Sequence, residues 1–280
     1  MAILQKTYLG ATKLWRDTEW YESFLPELVS SSFNVTVTAN SAAHTKGAWT
    51  QLIASTASDS SHLRITISNV AIVNTNTSTL LDLAIGASGG EIPIASNICI
   101  GGCLSSILDI PLQIPSGTRI SARIQSTVTG GKTATLTASV LNFYNYLNAP
   151  TSIDVINPGD ISTSKGTAFS GASGTWVEAV SSSSRAYKAV GMIFSVHTDS
   201  SSSMSAAAGI FEIGVGAAGG EISSGKFRFS TTVNENFQNG SPSNLYAIIG
   251  RSIPVGSRIS VKHPIPTNPE RYGFCLIGIP

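Results

Sequence analysis

Charge is scarce in this sequence. Charged residues make up 12% of the 280, and the formal net charge is +1. The usual share is about twice that. A highly charged disordered chain and a basic nucleic-acid binder are therefore both disfavoured. Long apolar runs are also missing, and none approaches the roughly 18 residues of a membrane helix. Residues 1–10 lack the apolar stretch of a signal peptide, so a chain made without a secretory leader is expected. Cysteine is limited to Cys99, Cys103 and Cys275, an odd number with no CxxC pair. They are expected as buried thiols rather than as a disulfide frame or a metal site. His44, His62, His197 and His263 form no HxH or HExxH pattern, and no Walker loop or dinucleotide fingerprint appears. No cofactor, no metal, no nucleic acid and no membrane partner is expected.

What is present is Ser, Thr and Gly, organised by an internal repeat. The stretch 81–92 (Leu-Asp-Leu-Ala-Ile-Gly-Ala-Ser-Gly-Gly-Glu-Ile) recurs as 211–222 (Phe-Glu-Ile-Gly-Val-Gly-Ala-Ala-Gly-Gly-Glu-Ile). The stretch 114–121 (Ile-Pro-Ser-Gly-Thr-Arg-Ile-Ser) recurs as 253–260 (Ile-Pro-Val-Gly-Ser-Arg-Ile-Ser), and Gly47-Ala48-Trp49 recurs as Gly174-Thr175-Trp176. The offsets of 130, 139 and 127 residues fall in one order along the chain, as a duplicated domain with small loop insertions requires. The sequence thus divides into an N-terminal arm (1–35), a first copy (36–148), a linker with Pro150, Pro158 and Gly159 (149–165), and a second copy (166–280).

Within each copy the hydrophobic period is two. Leu63, Ile65 and Ile67 alternate with polar residues, as do Leu81, Leu83 and Ile85, and Val190, Met192 and Phe194 mark the counterpart of the first set. One apolar and one polar face mark antiparallel sheets lying on a core. The expected fold is all-β: two tandem antiparallel β-sandwiches, jelly-roll-like, preceded by a short helical arm.

The repeated residues have local explanations. Gly86, Gly89 and Gly90, with Gly216, Gly219 and Gly220, are expected at turns needing positive φ. Trp49 and Trp176 are expected as equivalent core anchors. Asp82/Glu212 and Glu91/Glu221 are expected as solvated residues flanking the turns. Arg119/Arg258 and Arg123/Lys262 lie on one face of a strand, either solvated or contacting another subunit. A nucleophile elbow is mimicked by 86–90 (Gly-Ala-Ser-Gly-Gly), with Asp109 and His197 following in triad order. Pro93 blocks the helix such an elbow needs, and the second copy has Ala218 in place of Ser88. No enzyme is expected.

The arm differs from both copies. Trp15 stands before Trp20, Tyr21, Phe24, Leu25 and Leu28, which fall at i, i+1, i+4, i+5 and i+8, one face of a short amphipathic helix. Pro26 limits it to about two turns, too few to stand alone. Its aromatic face therefore packs on the chain's own sandwich or docks into another subunit.

The stretches 47–56 (Gly-Ala-Trp-Thr-Gln-Leu-Ile-Ala-Ser-Thr), 81–89 and 114–120 resemble uncharacterised β-sandwich modules in structural proteins of tailed bacteriophages. The likeness spans most of 45–145, with a looser echo over 172–280. The resemblance implies a virion protein, a homo-oligomer of three or more chains and contacts to other virion proteins, with no catalytic residues. It favours the tail apparatus or fibre attachment, with capsid decoration or a host-surface carbohydrate-binding module as alternatives.

Overall fold

Alternation of apolar and polar residues builds the strands. The computed structural model describes residues 27–68, 70, 78–100, 105–142, 149–196, 207–231, 247–249, 252–265 and 272–280. In β4 (Ser60–Ser68), Leu63, Ile65 and Ile67 are buried, while Arg64, Thr66 and Ser68 between them are half-buried. The last strand of the first sandwich, β9 (Thr133–Asn142), repeats the pattern with Ala134, Leu136, Ala138 and Val140.

These strands form two facing sheets. In one, β1 (Glu27–Ser31) and β2 (Val35–Thr38) both pair with β9, followed by β4 and β7 (Ser105–Ile114). The other runs β3 (Thr50–Ile53), β8 (Ile120–Ser126), β5 (Thr79–Ile85), β6 (Ile92–Cys99). Pairing is antiparallel throughout, and β2 to β9 distribute between the sheets as a jelly roll does.

The second sandwich repeats this order, nine strands later at every position. β10 (Asp154–Asn157) and β11 (Thr167–Ala168) pair with β18 (Tyr272–Ile279), followed by β13 (Ala189–Val196) and β16 (Ala247–Ile249). The facing sheet runs β12 (Trp176–Val180), β17 (Ile259–Lys262), β14 (Ala207–Val215), β15 (Ile222–Thr231). Among the described residues there is no helix.

Two expectations are corrected. Leu28, placed on the arm's helical face, lies in β1 and is 58% exposed, because Glu27–Ser31 pairs with β9 directly after Pro26. The segment expected as a linker contains β10, a strand of the second sandwich and the counterpart of β1. The arm residues Trp15, Trp20, Tyr21, Phe24 and Leu25, and Cys103, lie outside the described residues.

The two cores differ in chemistry. The first is aliphatic, whereas the second stacks rings, with Phe169 centred 4.7 Å from Phe274 and 5.3 Å from Phe211. Pairing registers place Val37, Ile67, Leu81 and Leu136 where the second copy has Phe169, Phe194, Phe211 and Phe274.

The sandwiches join face to edge. Ile193, Cys275 and Ile277, on the outer face of the second sandwich's β13–β18 pair, belong to the first sandwich's buried cluster. By register their counterparts are Thr66, Thr137 and Ser139, which stay half-buried on the open face of the first copy. Apolar side chains thus replace hydroxyls where the face is covered, as the transfer cost of polar groups requires. Cys99 stands against them, hydrogen-bonded to Cys275 Sγ and the Ile193 carbonyl, and Leu80 shares their cluster; Leu80 is 1% exposed, and its repeat counterpart Ile210 is 49% exposed.

Candidate functional site: the duplicated loop tip

Each sandwich carries one rigid tip built from the same residues. The hairpin leaving β5 turns at Gly86 (φ 108°) and Gly89 (φ 82°), and the one leaving β14 turns at Gly216 (φ 134°) and Gly219 (φ 79°). A Cβ at these φ values is strained. Gly90 and Gly220, expected to share this role, lie outside the positive-φ set; a Cβ there would meet only Ala87 O at 3.8 Å and Ala217 O at 3.7 Å.

An arginine clamps each tip from the neighbouring strand. Arg119 donates from Nη1 to Glu91 Oε1 at 3.0 Å and to Gly86 O at 3.2 Å, and from Nε to Gln51 Oε1 at 3.1 Å. Arg258 does the same to Glu221 (2.7 Å) and Gly216 O (3.4 Å), with Glu178 Oε2 (2.6 Å) replacing Gln51. Desolvation pulls the Glu91 carboxyl upward, but hydrogen bonds from its own N–H, from Arg119 and from Gly89 hold it below the ordinary range. The hydrogen bond from Arg258 lowers Glu221, and the bonds to Glu178 and Glu221 raise Arg258.

A hydroxyl clip ties the adjacent turn. Thr56 donates to Pro115 O (2.7 Å) and accepts from Thr118 N–H (3.0 Å). Ser183 repeats both bonds with Pro254 (2.9 Å) and Ser257 (3.1 Å).

One turn further along the strand, a second cation meets a second carboxylate. Asp82, buried, receives Arg123 Nε at 2.8 Å, Lys46 Nζ, and the Asn97 N–H at 2.8 Å. In the second copy Lys262 and Lys226 each stand 3.5 Å from Glu212. Desolvation raises the Glu212 carboxyl, but a hydrogen bond from Ser223 and the two lysine charges bring it below its ordinary value. The tryptophans are not core anchors: both are half-buried on the outer sheet face. Trp49 covers the Arg123 guanidinium at 4.3 Å, and Trp176 covers Lys262 at 5.6 Å. They alternate with, rather than join, the inward apolar set.

Arg119, Arg123, Arg258 and Lys262 thus spend their charge inside the chain and rigidify the sheet face. The repeated carboxylates are their partners rather than solvated turn residues. Both members of each pair recur in the repeat, and that joint recurrence was the available signal. The exposed large apolar residue of each tip is the isoleucine after the glutamate. Ile92 is 64% exposed and Ile222 62%, at equivalent positions. The hydrolase-like set is not assembled: Ser88 is exposed at the tip, whereas Asp109 pairs with Arg64 on the other sheet. His197 lies outside the described residues. Among the described residues no three His, Cys, Asp or Glu side chains are grouped to hold a metal ion.

No known family model matches the sequence, and no curated protein matches it. Among solved structures, the chain is similar to PNGF-II at 13% identity and a TM-score of 0.44, covering 95% of this chain and 66% of that one. It is similar to STIV MCP, a viral major capsid protein, at 10% identity and a TM-score of 0.36, over 89% of this chain and 96% of that one. N-glycanase F (PNGase F) is similar at 9% identity and a TM-score of 0.38, over 88% and 95%.

Proposed function

We propose that this chain is a non-enzymatic structural protein of a tailed-bacteriophage virion. It assembles as a symmetric homo-oligomer in the tail apparatus or fibre attachment, and its N-terminal arm docks to a neighbouring virion protein. The observation that carries this reading is the duplicated tip, with Ile92 and Ile222 exposed at the starts of β6 and β15, next to loops held by Arg119–Glu91 and Arg258–Glu221. A rigid loop loses little freedom when it is covered, and its ion pair leaves no unpaired charge to desolvate. A large apolar side chain held outward in the same place twice fits a contact made twice. Symmetry then multiplies a weak contact around the assembly.

The test is immunogold labelling of intact particles with an antibody to residues 166–280. Label confined to the tail supports the proposal. Label over the head moves the protein to capsid decoration. Absence of label on intact and on partly dissociated particles contradicts a virion role.

A further inference from the structure

A cleft of about 560 Å³ lies between the two sandwiches, beside the tip clamps, and Pro93 and the clip residue Ser183 help to line it. One wall is Pro93 to Asn97 of β6, the outermost strand of its sheet. The second is β10, also outermost in its sheet. The loop from Val180 to Tyr187 forms the third. Volume and position match those of small-ligand sites, which favour domain interfaces.

The cleft carries convergent polar groups on a fixed frame. Arg185 Nε meets Asp154 Oδ2 at 3.0 Å, and both side chains are partly exposed. Tyr187 stands beside Ser184 and Asp154 in the cleft lining, and its backbone is locked to Ile253 by two bonds of 2.7 and 2.8 Å. Its ring lies flat on Gly278, where a Cβ would come within 2.5 Å. Gly278 is the pairing partner of Asp154, so sheet register holds tyrosine and carboxylate together. Pro93, Ile94, Val155 and Pro158 add an apolar strip to the same cleft.

We propose that this cleft binds a neutral polyhydroxylated ligand, a mono- or disaccharide unit. The polar wall is a matched pair: a guanidinium that donates, a carboxylate that accepts, and the Ser184 hydroxyl that does both. Vicinal sugar hydroxyls also donate and accept, and they satisfy this pair without breaking it. An anion would meet Asp154, and a cation Arg185, as a like charge, which favours a neutral ligand. The apolar strip suits the C–H face of a pyranose ring. This inference stands independently of the assembly role proposed above.

The test is saturation-transfer NMR on the full chain with glucose, galactose, mannose, N-acetylglucosamine and their β-linked dimers, followed by titration of any sugar that responds. Arg185→Ala and Asp154→Asn are compared with wild type, and melting temperatures establish that both variants fold. Wild type is expected to bind at least one neutral sugar. Each variant should weaken it by about tenfold or more, the loss of one charge-assisted hydrogen bond. No response from any neutral sugar overturns the proposal, as does binding that survives both substitutions in folded protein. Sedimentation is read on the same variants: unchanged assembly with lost sugar binding separates this site from the tip contacts.

Discussion

Cys99 donates its backbone N–H to the thiol of Cys275 at 3.3 Å, across the joint between the two sandwiches. Burial, then the neighbouring Cys99 thiol, pushes the Cys275 thiol well above its ordinary range, so no reactive thiolate forms there. The joint is tight: a Cβ on Gly166 would lie 2.8 Å from Cys99 Sγ and 2.9 Å from Phe274 O. We expect Gly166→Ala to cost about 1–3 kcal/mol by overpacking. In a Cys103→Ser background, Cys99 and Cys275 should resist a thiol reagent in wild type and label faster in the Gly166→Ala variant. Equal labelling rates would mean that the joint is looser than its geometry.

Asp82 is the most committed carboxylate of the described residues, with two cations and a backbone N–H on one buried side chain. Asp82→Ala leaves Lys46 and Arg123 facing each other without a counter-charge. A loss of about 3 kcal/mol is expected, the lower range for breaking a buried pair. Lys226→Ala, whose partner Glu212 keeps Lys262, should cost under about 1 kcal/mol, as exposed pairs do. Urea denaturation of both variants checks the contrast.

Two histidines, His263 buried and His62 half-buried, set an acid limit. Burial lowers His62, opposed by Asp109 and aided by Arg64; burial also lowers His263, opposed by the backbone carbonyls near it. Both therefore hold protons less well folded than unfolded, where the value is 6.5. Their contribution is complete above that pH and is lost as pH falls below it through the folded values. Glu91, Glu212 and Glu221 are also lowered, but from 4.5, so they act at lower pH. Melting temperature should decline as pH falls below 6.5, and a His62→Gln, His263→Phe double variant should flatten that decline. An unchanged slope would assign it to other groups.

The strands were legible because alternation and repetition are local. Leu63, Ile65 and Ile67 announce a half-buried strand by themselves, and the repeated Gly-rich hairpin and Pro turn supplied the duplication. Long-range pairing was not legible. Within one copy nothing near Asp82 indicates that Arg123, on the neighbouring strand, is its partner; only their joint recurrence as Glu212 and Lys262 hints at it. The tryptophans misled because a large ring is as well placed covering a cation on an outer sheet face as filling a core. β10 was hidden for a similar reason: Pro150, Pro158 and Gly159 read as a linker, while its four residues gain strand structure only from β18. Which faces are covered was unreadable from one copy, yet Thr66, Thr137 and Ser139 against Ile193, Cys275 and Ile277 make the difference plain once registers are aligned.

The arm and the first strand should separate by truncation. A chain starting at residue 27 keeps β1 and should melt with the full chain while losing incorporation into particles. A chain starting at residue 36 also loses β1, the Ser30 bond to Ala57 N–H (3.0 Å) and the Ser32 bond to Ala138 N–H (3.1 Å). It should melt lower. Normal incorporation of the 27–280 chain would remove the arm from the docking role.

The most direct measurement is sedimentation of the purified chain beside an Ile92→Asp, Ile222→Asp double variant. Both side chains are exposed, so the substitutions should leave the melting temperature unchanged. The expected result is a wild-type particle of three or more 29.1 kDa chains and a variant that sediments as a single chain. A wild type that remains a monomer at every concentration, or a double variant that assembles as wild type does, would contradict assembly through the duplicated tips.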